Sequence, residues 1–286
     1  RLEAQLPALN IRWTGALSYG AGLSVVSPAP AQLLGRSQIL AFEPNLKHPP
    51  QQAMYVAQEG ALDAVAATHA LMAGAQANGA KVLTQTRVQG FKTLHGTVTA
   101  IETSNGTLEA DTVVLAAGTG IAELTQMLNL PLPVQASPCI FIRYTAQPGL
   151  VQTIISNSAM EVRQATDGTL LAAEDYLDDG VENQPSAVAQ RTARAIESEL
   201  EGAVLSEPQL ACVGLRPIAS DRLPIIGYLP SVSGVYVCTL HPGVALAAIV
   251  GRLVSEEILD AKLSDSLAPC RPDRFCLDTP PPQEGP

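Results

Sequence analysis

One arginine lies in a glycine- and proline-bounded motif whose chemistry suits a carboxylate. Arg216 stands in Gly214-Leu215-Arg216-Pro217, directly after the apolar run 211–213. A guanidinium carries a fork of N–H donors that can hold a carboxylate through two parallel hydrogen bonds, which fixes the plane of the ligand. The structural alternative is an ion pair between Arg216 and nearby Asp221. The motif therefore predicts either an anion clamp or an internal ion pair.

A turn before a predicted helix supplies a second set of groups. The segment His241-Pro242-Gly243-Val244-Ala245 leads into a run whose apolar residues recur at helical spacing, which predicts a helix over 243–259. The first backbone N–H groups of such a helix, with the positive end of its dipole, suit negative charge. His241 as a neutral imidazole could hydrogen-bond a ligand or take part in a proton transfer.

Small residues after an apolar strand form a third candidate. The run Thr112-Val113-Val114-Leu115 ends in Ala116-Ala117-Gly118. Side chains this small allow a ligand to pass close to the backbone, although tight packing at a strand-to-helix turn would need the same residues. The nearly continuous apolar run predicts a strand buried on both faces, as in a parallel sheet covered by helices.

The elements that would hold these groups alternate between two patterns. Small and apolar residues at helical spacing predict a helix over 61–78 with His69 on its apolar face, ended by Asn78-Gly79. The turn pair Asp167-Gly168 predicts a hairpin within a mainly antiparallel segment, 139–174. Further predicted elements are strands at 80–83, 88–93, 98–103, 111–116, 210–213 and 235–239, helices at 121–128 and 185–200, and a loop through Gly227.

This order of elements predicts an α/β (mixed α+β) fold of two interleaved parts. One part comprises 59–130 and 205–275, and the other comprises 1–58 and 131–204. The apolar residues among the first eleven suggest the end of a helix, and the polar, proline-rich segment 276–286 predicts a disordered tail.

Composition excludes several classes of function. The formal net charge of −10 gives no long-range attraction for nucleic acid or an anionic membrane, and no apolar run is long enough for a membrane span. The five cysteines include no Cys-x-x-Cys pair, so we expect neither a disulfide framework nor a metal site. This cysteine usage favours a cytoplasmic location. The oligomeric state is not predicted.

Three segments together resemble a known family. They are residues 109–120, then Gly214 to Pro217 with Asp221 and 223–227, then residues 234–237 followed by His241 to Ala245. In this order and spacing they are similar to the D-amino acid oxidase (DAO) family of FAD-dependent oxidoreductases, which includes glycine oxidase and sarcosine oxidase. The resemblance extends from residue 1 to about residue 275.

The resemblance implies a cofactor, FAD, and roles for the motif residues. The turn after residue 115 would lie near the pyrophosphate, the backbone at 86–88 near the adenine, and the helix starting at Gly243 would point at the flavin pyrimidine carbonyl. Arg216 would hold a substrate carboxylate, with His241 as an auxiliary and Arg143, Tyr144 and Arg163 as the next candidates. The implied cofactor-binding residues are Val88, Ala116, Ala117, Gly118, Gly214, Pro242, Gly243, Val244 and Ala245.

The implied activity is oxidation of an amino acid or related carboxylate-bearing amine by hydride transfer to flavin. Two alternatives stay open: oxidation of a 2-hydroxy acid, which uses the same clamp, and a non-catalytic fragment or binding module. Ala245 or Leu246 stands where sarcosine oxidases have an oxygen-activating lysine. The electron acceptor is therefore not predicted.

The dinucleotide-binding fingerprint Gly-x-Gly-x-x-Gly does not occur in this sequence. In the resembling family it comes before the region corresponding to residues 6–13. We therefore expect an incomplete, Rossmann-like FAD-binding domain without its N-terminal βαβ segment, interleaved with a mainly antiparallel substrate domain. On this expectation the chain alone holds FAD weakly or not at all.

Overall fold

The computed structural model describes residues 9–20 and 30–275. These residues form two compact units, each assembled from two stretches of chain: unit 1 within Arg1–Ala80 and Pro138–Gly214, and unit 2 within Lys81–Ser137 and Leu215–Pro286. The predicted N-terminal helix end, for the most part, and the predicted tail lie outside the described residues.

The strands of unit 1 are β1 (Ala16–Ser18), β2 (Gln32–Gly35), β3 (Gln52–Val56), β8 (Val134–Thr145), β9 (Ile154–Ser156), β10 (Glu161–Gln164), β11 (Thr169–Asp175) and β12 (Leu210–Ala219), and its helices are α1 (Arg36–Phe42), α2 (Ala64–Ala77) and α4 (Pro185–Glu199). The strands form an eight-stranded, mostly antiparallel sheet of order β12-β8-β11-β10-β9-β1-β3-β2. The first residues of β8 and the last of β12 extend into unit 2.

Helix α4 covers one face of this sheet. Pro185 begins it, which suits a ring with no N–H to offer, and its buried residues Val188, Ala189, Thr192, Ala193 and Ile196 form one stripe. Val188, Ala189, Ala193 and Ile196 pack with Ile140, Ile142 and Tyr144 of β8 in a continuous core. The Tyr144 hydroxyl donates a hydrogen bond of 2.6 Å to the Ala189 carbonyl. Tyr144 is therefore a core residue, and its prediction as a substrate-binding candidate is wrong.

A buried carboxylate ties α1 to the loop before β9. Glu43 is fully buried, and its Oε1 accepts hydrogen bonds from the backbone N–H and the hydroxyl of Thr153, at 2.5 and 2.6 Å. The Gln152 N–H donates to both carboxylate oxygens, at 3.0 and 3.1 Å. Burial raises the pKa of Glu43, and these hydrogen bonds oppose the rise.

We expect Glu43→Ala to lower the free energy of unfolding by about 3 kcal/mol, because it leaves buried donors without an acceptor and opens a cavity. Urea unfolding followed by fluorescence measures the loss. The matched control is Glu201→Ala at an exposed position, which should change stability by less than about 0.5 kcal/mol. Equal losses for the two variants would contradict the role given to Glu43.

Unit 2 contains two three-stranded sheets, of order β13-β14-β7 and β4-β5-β6. Strand β7 runs parallel to β14, and the other pairs are antiparallel. The strands are β4 (Val88–Leu94), β5 (Thr97–Thr103), β6 (Gly106–Glu109), β7 (Val113–Leu115), β13 (Ile225–Tyr228) and β14 (Val235–Thr239), and the helices are α3 (Ile121–Gln126) and α5 (Gly243–Asp260). Two 3-10 turns, Asp265–Cys270 and Pro272–Phe275, follow α5.

The mixed α/β fold class is confirmed, and most predicted elements form. Asp63 begins α2 by accepting hydrogen bonds from the Val65 and Ala66 N–H groups, and Gly168 turns the hairpin at φ +86°. The strands of 139–174 and β7 belong to different sheets. The assignment of the two predicted parts to cofactor and substrate stays a prediction, and α2, expected in the cofactor part, lies in unit 1.

Several local predictions are wrong. Residues 80–83 form no strand and are exposed. β-Prone residues form a stable strand only beside a neighbouring strand that completes their hydrogen bonds. Val114 in β7 is 44% exposed, so this strand is not buried on both faces. His69 is exposed, since α2 buries only Ala67. Strand β12 continues to Ala219, and Gly227 lies in β13, where a loop was expected.

Candidate functional site

Two of the predicted segments follow the carboxyl ends of adjacent parallel strands. Leu115 at the end of β7 pairs with Val237 of β14, and both strands run in the same direction. The turns after them, 116–118 and 240–243, therefore lie at the same edge of the sheet. The Thr239 hydroxyl, 3.5 Å from the Gly118 carbonyl oxygen, links the two turns. Loops at this edge of parallel strands are the usual place for ligands in α/β proteins.

The turn after β7 is open on its outer side. Gly118 has φ +55°, a region that favours glycine, and an added Cβ would meet no heavy atom within 4 Å. Ala116 and Ala117 are exposed. The 3-10 turn Gly118–Gly120 then leads directly into α3. The turn thus offers a ligand a close approach to the backbone.

The first turn of α5 presents backbone donors. Pro242 is the N-cap residue, and no side chain caps the helix. Gly243, Val244 and Ala245 are exposed, and a Cβ at Gly243 would meet nothing within 4 Å. The N–H groups of a first helical turn have no carbonyl partner inside the helix. With the dipole of an 18-residue helix behind them, these groups suit a partial negative charge.

Arg216 lies near the end of β12, and its guanidinium contacts Ser137 of β8. Its Nη2 donates to the Ser137 hydroxyl at 3.1 Å, and its Nε lies 3.5 Å from the Ser137 carbonyl oxygen. The alternative partner, Asp221, is bound instead by Arg274, whose Nε and Nη2 donate to its two carboxylate oxygens at 2.6 and 3.1 Å. Both oxygens of Asp221 are thereby engaged.

The imidazole of His241 lies within the electrostatic influence of Arg216. Desolvation by neighbouring atoms lowers the pKa of His241, and the positive charge of Arg216 lowers it further. The ring is exposed and follows β14 by two residues. A lowered pKa keeps this imidazole neutral near pH 7, so that it can accept a proton. The charge of Arg216 thus acts on His241, and the joint role predicted for the two residues stays a prediction.

The structure locates the remaining predicted residues at two places. Val88 begins β4, and next to it the Arg87 side chain donates at 2.8 Å to Glu123 of α3, the helix after the Gly118 turn. Gly214 lies in β12, where its carbonyl accepts from the Cys139 thiol at 3.6 Å. Val88 is thus linked, through Arg87 and α3, to the turn that contains Gly118. Gly214 precedes Arg216 by two residues.

Sequence reasoning missed Ser137 and the buried ion pair between Arg271 and Glu257. No sequence motif includes Ser137. Its contact with Arg216 becomes visible only when β8 and β12 are placed side by side in the sheet. Arg143 and Arg163, both predicted as secondary candidates, lie on one face of the unit 1 sheet, since each is paired with Leu171.

Within the ranges 9–20 and 30–275, no cluster of three or more potential metal ligands occurs. In those same ranges, no helix has the length and apolar character of a membrane span.

The chain is similar in sequence to known enzymes. Over 254 residues the chain is 28% identical to the bifunctional protein ThiO/ThiG of Synechocystis, covering 87% of this chain and 38% of that protein. It is 29% identical over 175 residues to the glycine oxidase of Pseudomonas aeruginosa, covering 60% of this chain and 48% of that protein. The chain thus spans half or less of the length of these two relatives.

A solved structure shares the fold. The L-amino acid deaminase of Proteus vulgaris, in a form lacking its specific insertion sequence, superposes with a TM-score of 0.84 at 17% identity. The match covers 96% of this chain and 76% of the deaminase chain. Residues 5–257 also match the model of the FAD dependent oxidoreductase (DAO) family. The chain therefore belongs to the DAO family of FAD dependent oxidoreductases.

Proposed function

We propose that this protein is an FAD-dependent oxidoreductase that oxidises an amino acid or a related carboxylate-bearing amine. The observation that carries the proposal is the Arg216 guanidinium, which Ser137 holds and whose charge lowers the pKa of His241, the residue before the uncapped start of α5. Family membership and the names of the relatives, glycine oxidase among them, support the same substrate class.

The groups at the sheet edge suit FAD. Pyrophosphate and a flavin carbonyl both need hydrogen-bond donors and room beside the backbone. The open space at Gly118 and Gly243, and the N–H groups of the first α5 turn, meet these two needs. We propose that FAD is held by Val88, Ala116, Ala117, Gly118, Gly214, Pro242, Gly243, Val244 and Ala245.

When bound, FAD supplies the acceptor for a hydride equivalent. In the proposed reaction Arg216 binds the substrate carboxylate and thereby fixes the position of the carbon next to it. His241 at neutral pH is able to accept the proton that an ammonium group must lose before the amine is oxidised. The start of α5 stabilises negative charge that develops beside it during the reaction. The resulting imine hydrolyses to a keto acid.

We expect a carboxylate-bearing amine to bleach the flavin absorbance of the FAD-loaded protein under anaerobic conditions, while the same amine without its carboxylate is at least about 10-fold less effective. The measurement compares glycine with methylamine, and D- and L-alanine with ethylamine, on the FAD-loaded protein. Ammonia released with the product separates amine oxidation from 2-hydroxy acid oxidation. Absence of bleaching by every carboxylate-bearing amine tested would overturn the proposal.

A cytoplasmic location is part of the proposal. Four cysteines in the described part of the chain, Cys139, Cys212, Cys238 and Cys270, are free thiols. Thiols persist in a reducing compartment, which supports this location.

A further inference from the structure

We propose that Ser137 is a positioning residue that sets the orientation of the Arg216 guanidinium for carboxylate binding. The inference rests on the proposed function, because it concerns how the same guanidinium is held. Its basis is that both contacts from Ser137 fall on one edge of the guanidinium plane, at Nε and Nη2.

The contact geometry restrains rotation of the guanidinium. The 3.1 Å bond joins Nη2 to the Ser137 Oγ, and the 3.5 Å contact joins Nε to the carbonyl oxygen of the same residue. Two acceptors on one edge oppose rotation of the plane about its last side-chain bond. A bidentate grip on a carboxylate depends on this plane, because both N–H bonds must point at the ligand together. The Arg216 side chain is also half-buried, which limits its alternative positions.

The register of the sheet places Ser137 opposite Arg216. Strands β8 and β12 are neighbours. Cys139 of β8 contacts Gly214 of β12, and Ser137, two residues earlier on β8, contacts Arg216, two residues later on β12. This is the relation between antiparallel strands, and residues two apart project from the same side of a strand. Ser137 therefore meets Arg216 because of strand pairing, which is more rigid than a loop.

We expect Ser137→Ala to raise KM for the carboxylate-bearing amine about 5-fold with little change in kcat, since it removes the hydroxyl contact to Arg216 and leaves the charge of Arg216 in place. The backbone carbonyl contact is retained in every variant. Ser137→Thr keeps a hydroxyl and should restore KM to within about 2-fold of the original value. KM for the amine without a carboxylate should not change. Ser255→Ala, which removes a hydroxyl bonded to the Gly251 carbonyl on α5, is the matched control and should leave both values unchanged.

A double variant separates positioning from a general structural effect. If Ser137 acts through Arg216, Ser137→Ala should add no further rise in KM on an Arg216→Lys background. An unchanged 5-fold effect on that background, or an equal rise in KM for the amine without a carboxylate, would overturn the positioning role and leave the proposed function intact. If Arg216→Lys alone has no effect on carboxylate selectivity, the clamp and the role of Ser137 are both overturned.

Discussion

Replacing Arg216 by lysine should weaken binding of a carboxylate-bearing amine about 10- to 100-fold, which corresponds to about 1.5–3 kcal/mol. Lysine keeps the positive charge but loses the planar fork, so it cannot make two parallel hydrogen bonds to a carboxylate. Stopped-flow reduction of the flavin at increasing substrate concentration gives the dissociation constant. Flavin content should hardly change, because Arg216 is assigned to the substrate.

The matched control for this prediction is Arg252→Lys. Arg252 lies on α5 in the same unit and forms a 2.9 Å ion pair with Glu256 one helical turn away, which a lysine can also form. The substrate affinity of Arg252→Lys should equal that of the unchanged protein. Unaltered binding in Arg216→Lys, or an equal loss for amines without a carboxylate, would show that Arg216 is not the clamp.

Replacing Glu257 by glutamine should destabilise unit 2 by about 3–5 kcal/mol, the cost of breaking a buried ion pair from one side. Glu257 is 3% exposed and receives hydrogen bonds from the Arg271 guanidinium at both oxygens, one of them at 2.7 Å. The Tyr236 hydroxyl donates to it at 2.5 Å, and the Ser264 N–H donates at 3.0 Å. This buried hydrogen-bond network around Glu257 holds the turns after α5 against β14. Thermal and urea unfolding measure the loss.

The neighbouring residue supplies a control on the same helix. Glu256 has a side chain 28% exposed and pairs with Arg252 at the surface, so Glu256→Gln should cost less than about 1 kcal/mol. The double variant Glu257→Gln with Arg271→Gln should lose less than the sum of the two single losses, because it leaves no buried charge. Similar losses of unfolding free energy for Glu256→Gln and Glu257→Gln would contradict the role given to the network around Glu257.

The pH dependence of stability follows from the same carboxylate. Burial by itself raises the pKa of Glu257, but the hydrogen bonds from Arg271 and Tyr236 outweigh it and lower the pKa to about 2. A carboxyl group whose pKa is lower in the folded state stabilises the fold above its unfolded pKa, about 4.5. This contribution, about 3 kcal/mol, is lost as the pH falls from about 4.5 to about 2. The difference between the unchanged protein and Glu257→Gln should therefore shrink over that range.

Most helices and strands could be predicted because their signals are local. The cap at Asp63, the proline that begins α4 and the turn at Gly168 each act within a few residues, so the chain alone specifies them. Arg216 and His241 were likewise predicted from motifs whose residues are adjacent in sequence, and their roles stay a prediction. Predictions that needed a partner elsewhere were less successful, as the exposed segment 80–83 illustrates.

Side-chain direction also escaped the sequence at some positions. Tyr144 and Arg143 are consecutive in β8, and only the packing of α4 decides that Tyr144 lies in the core with Ile142. Strand alternation predicts that the two residues face opposite ways, but it does not say which face a helix will cover.

The sequence by itself determined the family, the order of helices and strands, and the residue types available for chemistry, because these depend on local propensity and motif spacing. The tertiary structure decided which groups meet. Ser137 and Arg216 are 79 positions apart, and Glu43 and Thr153 are 110 apart. Such contacts follow from strand register and burial, which are set by the whole fold and leave no periodic signal in the chain.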